Sequence, residues 1–294
     1  MKRVPPEPTA RVVRWQAGNV DLGIEEAGTG ASVLLLPALS SISSRGEMRP
    51  LLDLLAQRFR TTSVDWPGFG DRAKPQADWT PTLLSSFLTW LLSQIPAPRA
   101  LVAAGHAAAY AVHHACNDPG SISRLVLIAP TWRGPLPTMM GGQRPWFARI
   151  RAAIDNPIVG PLLYRLNVSR PVVGLMAREH VYSDPEWLSG MRLSQKLAVT
   201  SAVGARHASA RFVTGALDRF ANREAFVDDI NRLTVPILVI YGAETPRKSL
   251  AEMEALAALP NVDSLVLPHG KLALHEEFPA EVAAAVLAFL SKQA

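Results

Sequence analysis

The sequence predicts an α/β architecture: a mostly parallel central sheet with helices on both faces and a helical insertion late in the chain. Three observations carry this. Over the first 130 residues, apolar runs of strand length alternate with amphipathic runs of helix length. Several strand runs, such as Ser32–Leu36, apolar from Val33 onward, and Leu125–Ile128, read as strands buried on both faces. The alternation stops after Thr131 and resumes near Pro236, so one sheet is interrupted by a segment of another kind.

Taken in order, Arg11–Gln16 and Val20–Glu26 read as an opening strand pair joined at Gly18-Asn19. Ser32–Leu36 follows as a buried strand. Met48–Gln57 is an amphipathic helix through Leu51, Leu52, Leu54 and Leu55. Thr61–Trp66 is a strand stopped by Pro67-Gly68. Thr82–Ser93 is a helix with Leu83, Leu84, Phe87, Leu88, Leu91 and Leu92 on its apolar side. Ala100–Ala104 and Leu125–Ile128 are strands flanking a further helix. The pattern closes with a strand at Pro236–Tyr241, a helix at Ser249–Ala258, a strand at Ser264–Leu267 and a helix at Ala280–Ser291. Residues 1–130 and 234–294 therefore form one core, and residues 131–233 a helical cap. Trp132, Trp146, Phe147 and Trp187 of the cap read as exposed, and Pro5–Pro8 as a tail.

Composition narrows the function classes. The chain has 294 residues, 48% of them hydrophobic, enough for a large core. A single cysteine, Cys116, excludes an internal disulfide framework and fits a reducing compartment. The first ten residues lack the apolar stretch of a signal peptide, and no run is long enough to span a membrane. A soluble, cytoplasmic protein is expected. The net charge is +5, but Thr131–Phe220 alone holds 12 Lys and Arg against 5 Asp and Glu. That basic excess would attract an acidic molecule or an anionic membrane surface. No nucleic-acid motif is present.

The chemistry centres on Gly105-His106-Ala107-Ala108-Ala109, which has the form of a nucleophile elbow, Gly-x-Ser-x-Gly. Gly105 and Ala109 are small where the turn must be tight, but Ala107 occupies the central position, and a methyl group cannot attack a carbonyl. Three further stretches accompany it: Leu34-Leu35-Leu36-Pro37-Ala38-Leu39-Ser40, Asp65-Trp66-Pro67-Gly68-Phe69-Gly70, and Leu274-His275-Glu276-Glu277-Phe278-Pro279. In this order and at these spacings the chain resembles the α/β-hydrolase fold, with a helical cap between strands six and seven. The resemblance implies an oxyanion loop at Pro37–Ser40 and a histidine loop ending at His275. It departs from the family pattern at Ala107, at Pro37-Ala38 in place of His-Gly, and at Thr245 in place of the triad acid.

Several residues are then expected at a site. His275 is the candidate base, because imidazole accepts a proton near neutral pH. Glu244 is the candidate acid that would orient it. Leu39 and Ala108 would offer backbone N–H groups to an oxyanion. Ser40, His106 and Trp132 would line the pocket. No metal site is expected, since His275-Glu276-Glu277 lacks a second histidine four residues on, and no nucleotide or other cofactor is implied. The reading is a hydrolase-like protein that holds a small, largely apolar molecule, with the basic excess admitting an acidic one, without serine-type hydrolysis. Three alternatives stand beside it. His275 could act as base in lyase, water-activating or cofactor-free oxygenase chemistry. Ala107 could be an engineered Ser→Ala change in an esterase-like enzyme. The basic cap could dock on a partner or membrane through Arg144, Trp146, Phe147, Arg149 and Arg151.

Overall fold

The computed structural model describes residues 8–97 and 99–292. Of the proline-rich tail, Pro5 to Glu7 lie outside the described residues. Eight strands form one sheet: β1 (Thr9–Trp15), β2 (Val20–Ala27), β3 (Ser32–Leu36), β4 (Arg60–Val64), β5 (Arg99–Ala104), β6 (Arg124–Ile128), β7 (Ile237–Gly242) and β8 (Val262–Leu267). Their spatial order is β1-β2-β4-β3-β5-β6-β7-β8. The β1–β2 and β2–β4 pairings are antiparallel, and every later pairing is parallel. The all-apolar runs fall on the central strands: each residue of β3 and β7 is buried, as covering by helices on both faces requires.

The core helices are α1 (Arg49–Leu55), α2 (Pro81–Ser93) and α3 (Ala107–Asn117). Between β6 and β7 come α4 (Pro135–Met140), α5 (Phe147–Asp155), α6 (Gly160–Asn167), α7 (Arg170–Met176), α8 (Gly190–Ser201), α9 (Ala205–Val213) and α10 (Arg223–Arg232). The chain ends with α11 (Arg247–Ala257), α12 (Leu274–Glu277) and α13 (Pro279–Leu290). Local chemistry sets several boundaries. The Thr80 hydroxyl accepts the Leu83 N–H and Pro81 opens α2, while Asn222 accepts the Ala225 N–H at the start of α10. Helix α1 packs with α13, whereas α2 and α10 pack on α3.

Two apolar clusters result. The main core surrounds the sheet and includes Trp66, Phe87 and Tyr110, with Trp66 and Tyr110 ring centroids 5.4 Å apart. The second cluster joins residues of the helical segment between β6 and β7, such as Tyr164, Val173 and Tyr182, to Ile42 and Ala273 outside it. The last cap-side helix behaves differently from the rest: Phe226 and Ile230 of α10 belong to the main core. Three of the four aromatics read as exposed are covered. Trp132 and Phe147 are buried, and Trp187 is half-buried, stacked on Tyr182 with centroids 4.1 Å apart. Only Trp146 of the four is exposed. Aromatic rings bury too much apolar area to be left in water when a packing surface is near.

Candidate functional site

Strand β5 enters α3 through two residues. The Gly105 N–H donates to the Ile128 carbonyl (2.9 Å), and its backbone is left-handed, φ +51°. His106 is already right-handed helical, and Ala107 is the first residue of α3. The tight turn therefore falls on Gly105, two residues before Ala107, where the sequence had centred it. The reason is conformational: glycine takes positive φ without penalty, whereas alanine is the best helix former and starts the helix. A Cβ on Gly105 would stand 3.1 Å from the Ala38 Cβ, facing the loop after β3. The Ala107 methyl is instead fully buried, and the Ala108 N–H is turned back to the Gly105 carbonyl (3.2 Å).

The loop after β3 is pinned from two sides. The Trp66 indole N–H donates to the Pro37 carbonyl (2.9 Å), and the Ala38 N–H donates to Glu47 Oε1 (2.7 Å). Leu39 is buried, and the half-buried Ser40 uses its hydroxyl to accept the Ile42 N–H (3.4 Å). Trp66 is placed by the turn after β4, where Gly68 and Gly70 take φ +87° and +80°. A Cβ at Gly70 would strike the Asp65 carboxylate, which accepts the Arg45 N–H (2.7 Å) and pairs with the Arg45 guanidinium. Burial raises Asp65 to about 6, although Arg45 pulls the other way.

Glu47 is the centre of a buried charged cluster absent from the sequence-based expectations. It lies in a 3₁₀ turn, Arg45–Met48, just before α1. Its Oε1 is 3.5 Å from His275 Nε2, an ion-pair distance rather than a hydrogen bond. Its Oε2 is 3.4 Å from Lys196 Nζ, and Lys196 Nζ is 2.9 Å from Glu276 Oε1. The Tyr182 hydroxyl donates to the same Glu276 oxygen (2.8 Å). A π-helical turn, Ala177–Val181, extends α7 and delivers Tyr182 to this position. Burial disfavours the Glu47 charge, but Lys196, His275 and Ser43 more than offset it and hold the carboxyl at about 2. Burial likewise disfavours the Lys196 ammonium, and Glu276 and Glu47 outweigh it, raising its pKa. Ligand atoms of Glu47, His275 and Glu276 lie within 4.8 Å of one another, as metal donors would. The Lys196 ammonium supplies a cation between the two carboxylates.

His275 is buried at the start of α12, and neither ring nitrogen has a hydrogen-bond partner. Glu244 is exposed and makes no hydrogen bond to it. The neighbouring Thr245 is buried, with its hydroxyl unpaired. His106 points to the segment returning from the cap: its Nε2 is 3.3 Å from the Leu217 carbonyl and 3.6 Å from Asp218. Burial lowers His106 to about 4, so it is neutral near pH 7. Trp132 turns toward α11, where its indole N–H donates to Glu252 (3.3 Å), and Arg133 lies 4.6 Å over its ring. The structure thus gathers His275 with Glu47, and leaves Glu244, His106 and Trp132 to other contacts. A signal for Lys196 did exist: it is a cation beside Leu193 and Leu197 in a helix that must bury one face. Glu47 had none, because nothing local distinguishes it from a solvated carboxylate.

The chain belongs to the alpha/beta hydrolase family, whose model matches residues 33–285. Among solved structures it is similar to a hydrolase from Pseudomonas aeruginosa, with 20% identity over 98% of this chain and 100% of that one, at a TM-score of 0.74. It is also similar to a bromoperoxidase from Bacillus anthracis, with 17% identity, coverage of 97% and 100%, and a TM-score of 0.72. A haloalkane dehalogenase from Agrobacterium tumefaciens gives 17% identity, coverage of 97% and 96%, and a TM-score of 0.71. At these identities the likeness is one of fold, which serves many chemistries. No curated protein matches the sequence.

Proposed function

We propose that this protein holds a small, largely apolar ligand between core and cap and forms no covalent acyl-enzyme. The observation that carries this reading is Gly105: the left-handed residue between β5 and α3 has no side chain. In this fold the nucleophile sits on that strained strand-to-helix turn, and the oxyanion donors are the next N–H and one from the loop after β3. On that reading Gly105, rather than Ala107, stands at the nucleophile position, and His106, rather than Ala108, offers the following N–H. An N–H of the other loop already serves the Glu47 carboxylate. The apolar ligand class is supported by the character of the contact between the two parts, where Ile42 and Ala273 pack with Val173, Leu193 and Leu197.

A second reading has its own support. The pairing of His275 with Glu47, with both ring nitrogens free of hydrogen bonds, suits a general base acting without a covalent intermediate. Lyase, water-activating and oxygenase-type reactions fall in that class.

One experiment separates the readings. Ester hydrolysis across acyl lengths, with fluorophosphonate labelling, is measured for the natural chain, Gly105→Ser, Ala107→Ser and His275→Ala. The expected result is no turnover in the natural chain, labelling in Gly105→Ser and none in Ala107→Ser. Turnover in the natural chain that disappears in His275→Ala would favour base catalysis. Labelling of the natural chain at a serine elsewhere would defeat both readings.

A further inference from the structure

The outer face of the cap presents apolar side chains to solvent. Ile158 is 84% exposed, Leu162 63%, Leu166 60% and Leu175 56%. In α6, Leu162, Leu163 and Leu166 share one side while Tyr164 is buried on the other. Helix α7 repeats the arrangement, with Val172, Leu175 and Met176 outward and Val173 inward. Adjacent short helices turning the same kind of face to water make a contiguous apolar patch, the usual mark of an interaction surface.

The charges carried by α6 and α7 themselves have one sign: Arg165 and Arg170, with no acidic residue. Between Arg144 and Arg178 the sequence holds six arginines and one acidic residue, Asp155, and exposed Glu179 follows directly. The Asp155 carboxylate is engaged elsewhere, by His207 (2.6 Å) and Arg211 (3.0 Å). Arg165, Arg170 and Arg178 are exposed, and none makes an ion pair among the described residues. Arg170 and Arg178 also line a groove of about 460 Å³, together with Tyr182, Asp184 and Glu186.

From this juxtaposition we propose that the α6–α7 face docks on an anionic lipid bilayer. Its leucines and Ile158 would enter the interfacial layer, and Arg165, Arg170 and Arg178 would meet headgroup phosphates. Charge complementarity selects this occupant. A second copy seated on the same face would set arginines against arginines, which opposes a two-fold contact. No helix among the described residues is long and apolar enough to cross a membrane, so the contact is peripheral. The face differs from the one expected around Trp146: Phe147 is buried there, and Arg151 is committed to the Thr214 hydroxyl (3.2 Å). The proposal is independent of whether the site beneath the cap is catalytic.

The test is co-sedimentation of the full chain with vesicles of phosphatidylcholine alone or mixed with phosphatidylglycerol, at low and high salt. Binding is expected only to the mixed vesicles and should fall as salt rises. Arg165→Gln and Arg170→Gln should each weaken partitioning about five-fold. The exposed double change Leu162→Gln/Leu166→Gln should abolish it while leaving the circular dichroism spectrum unchanged. Absence of binding to the mixed vesicles would overturn the proposal. So would binding that is indifferent to these substitutions. Concentration-dependent dimerisation that Leu162→Gln/Leu166→Gln removes, without vesicle binding, would assign the face to a second copy instead.

Discussion

Gly105 and His106 sit side by side and answer to different constraints. Gly105 supplies a backbone angle, φ +51°, that costs an L-residue energy unless the surroundings enforce it. Gly105→Ser should therefore lower stability by roughly 1–2 kcal/mol in thermal unfolding, a cost that Ala107→Ser would not incur by backbone strain. His106 is constrained by burial. Its pKa falls from an ordinary 6.5 to about 4, so the unfolded chain takes up a proton before the folded one does. Its contribution is complete above pH 6.5 and is lost progressively as pH falls toward 4, amounting to up to roughly 3 kcal/mol. Urea unfolding at a series of pH values should show this slope, and His106→Gln should flatten it.

At the scale of elements, Lys196 ties the helical segment between β6 and β7 to the core, beside other contacts such as the Ser183 N–H to Glu277 (2.9 Å). Helix α8 brings Lys196 between Glu47, beside α1, and Glu276 of α12, while the turn after α7 adds Tyr182. Removing one partner of a buried ion pair strands the others in a medium that cannot solvate them. Lys196→Met should cost about 3–5 kcal/mol. The triple change Lys196→Met/Glu47→Gln/Glu276→Gln should recover most of that loss, and a mutant cycle by denaturant unfolding would measure it. The cluster also has an acid limit. Glu47 is held at about 2 against an ordinary 4.5, so its contribution is present above pH 4.5 and lost as pH falls toward 2. Limited proteolysis of α5–α8 should quicken across that window, and an unchanged cleavage rate would count against the latch.

Over the whole molecule, two apolar clusters of unequal size divide the stability. The sheet cluster gathers most buried large side chains, whereas the cap cluster is smaller and borders the exposed α6–α7 face. Regions with fewer buried contacts open at lower free energy. Native-state hydrogen exchange should therefore find amides of α6 and α7 exchanging well before those of β3, β5 and β7. Equal protection throughout would mean that cap and core unfold as one unit.

Much of the fold was legible because sheet and helix patterns are local. A strand buried on both faces must be mostly apolar, so Ser32–Leu36, with Val33 to Leu36 all aliphatic, and Leu125–Ile128 declared themselves, and amphipathic spacing did the same for α2. The run of helices between β6 and β7 coincides with the same break in rhythm. The elbow segment was legible as a region but not in register. Gly105 and Ala109 fit the spacing of the motif equally well as flanking residues, and only backbone geometry moved the turn onto Gly105. The tertiary structure alone decided the charged cluster. Glu47 and Lys196 stand 149 residues apart and meet only after the cap has closed on the sheet. Their partnership depends on long-range packing and on the low dielectric it creates, neither of which leaves a mark on local sequence.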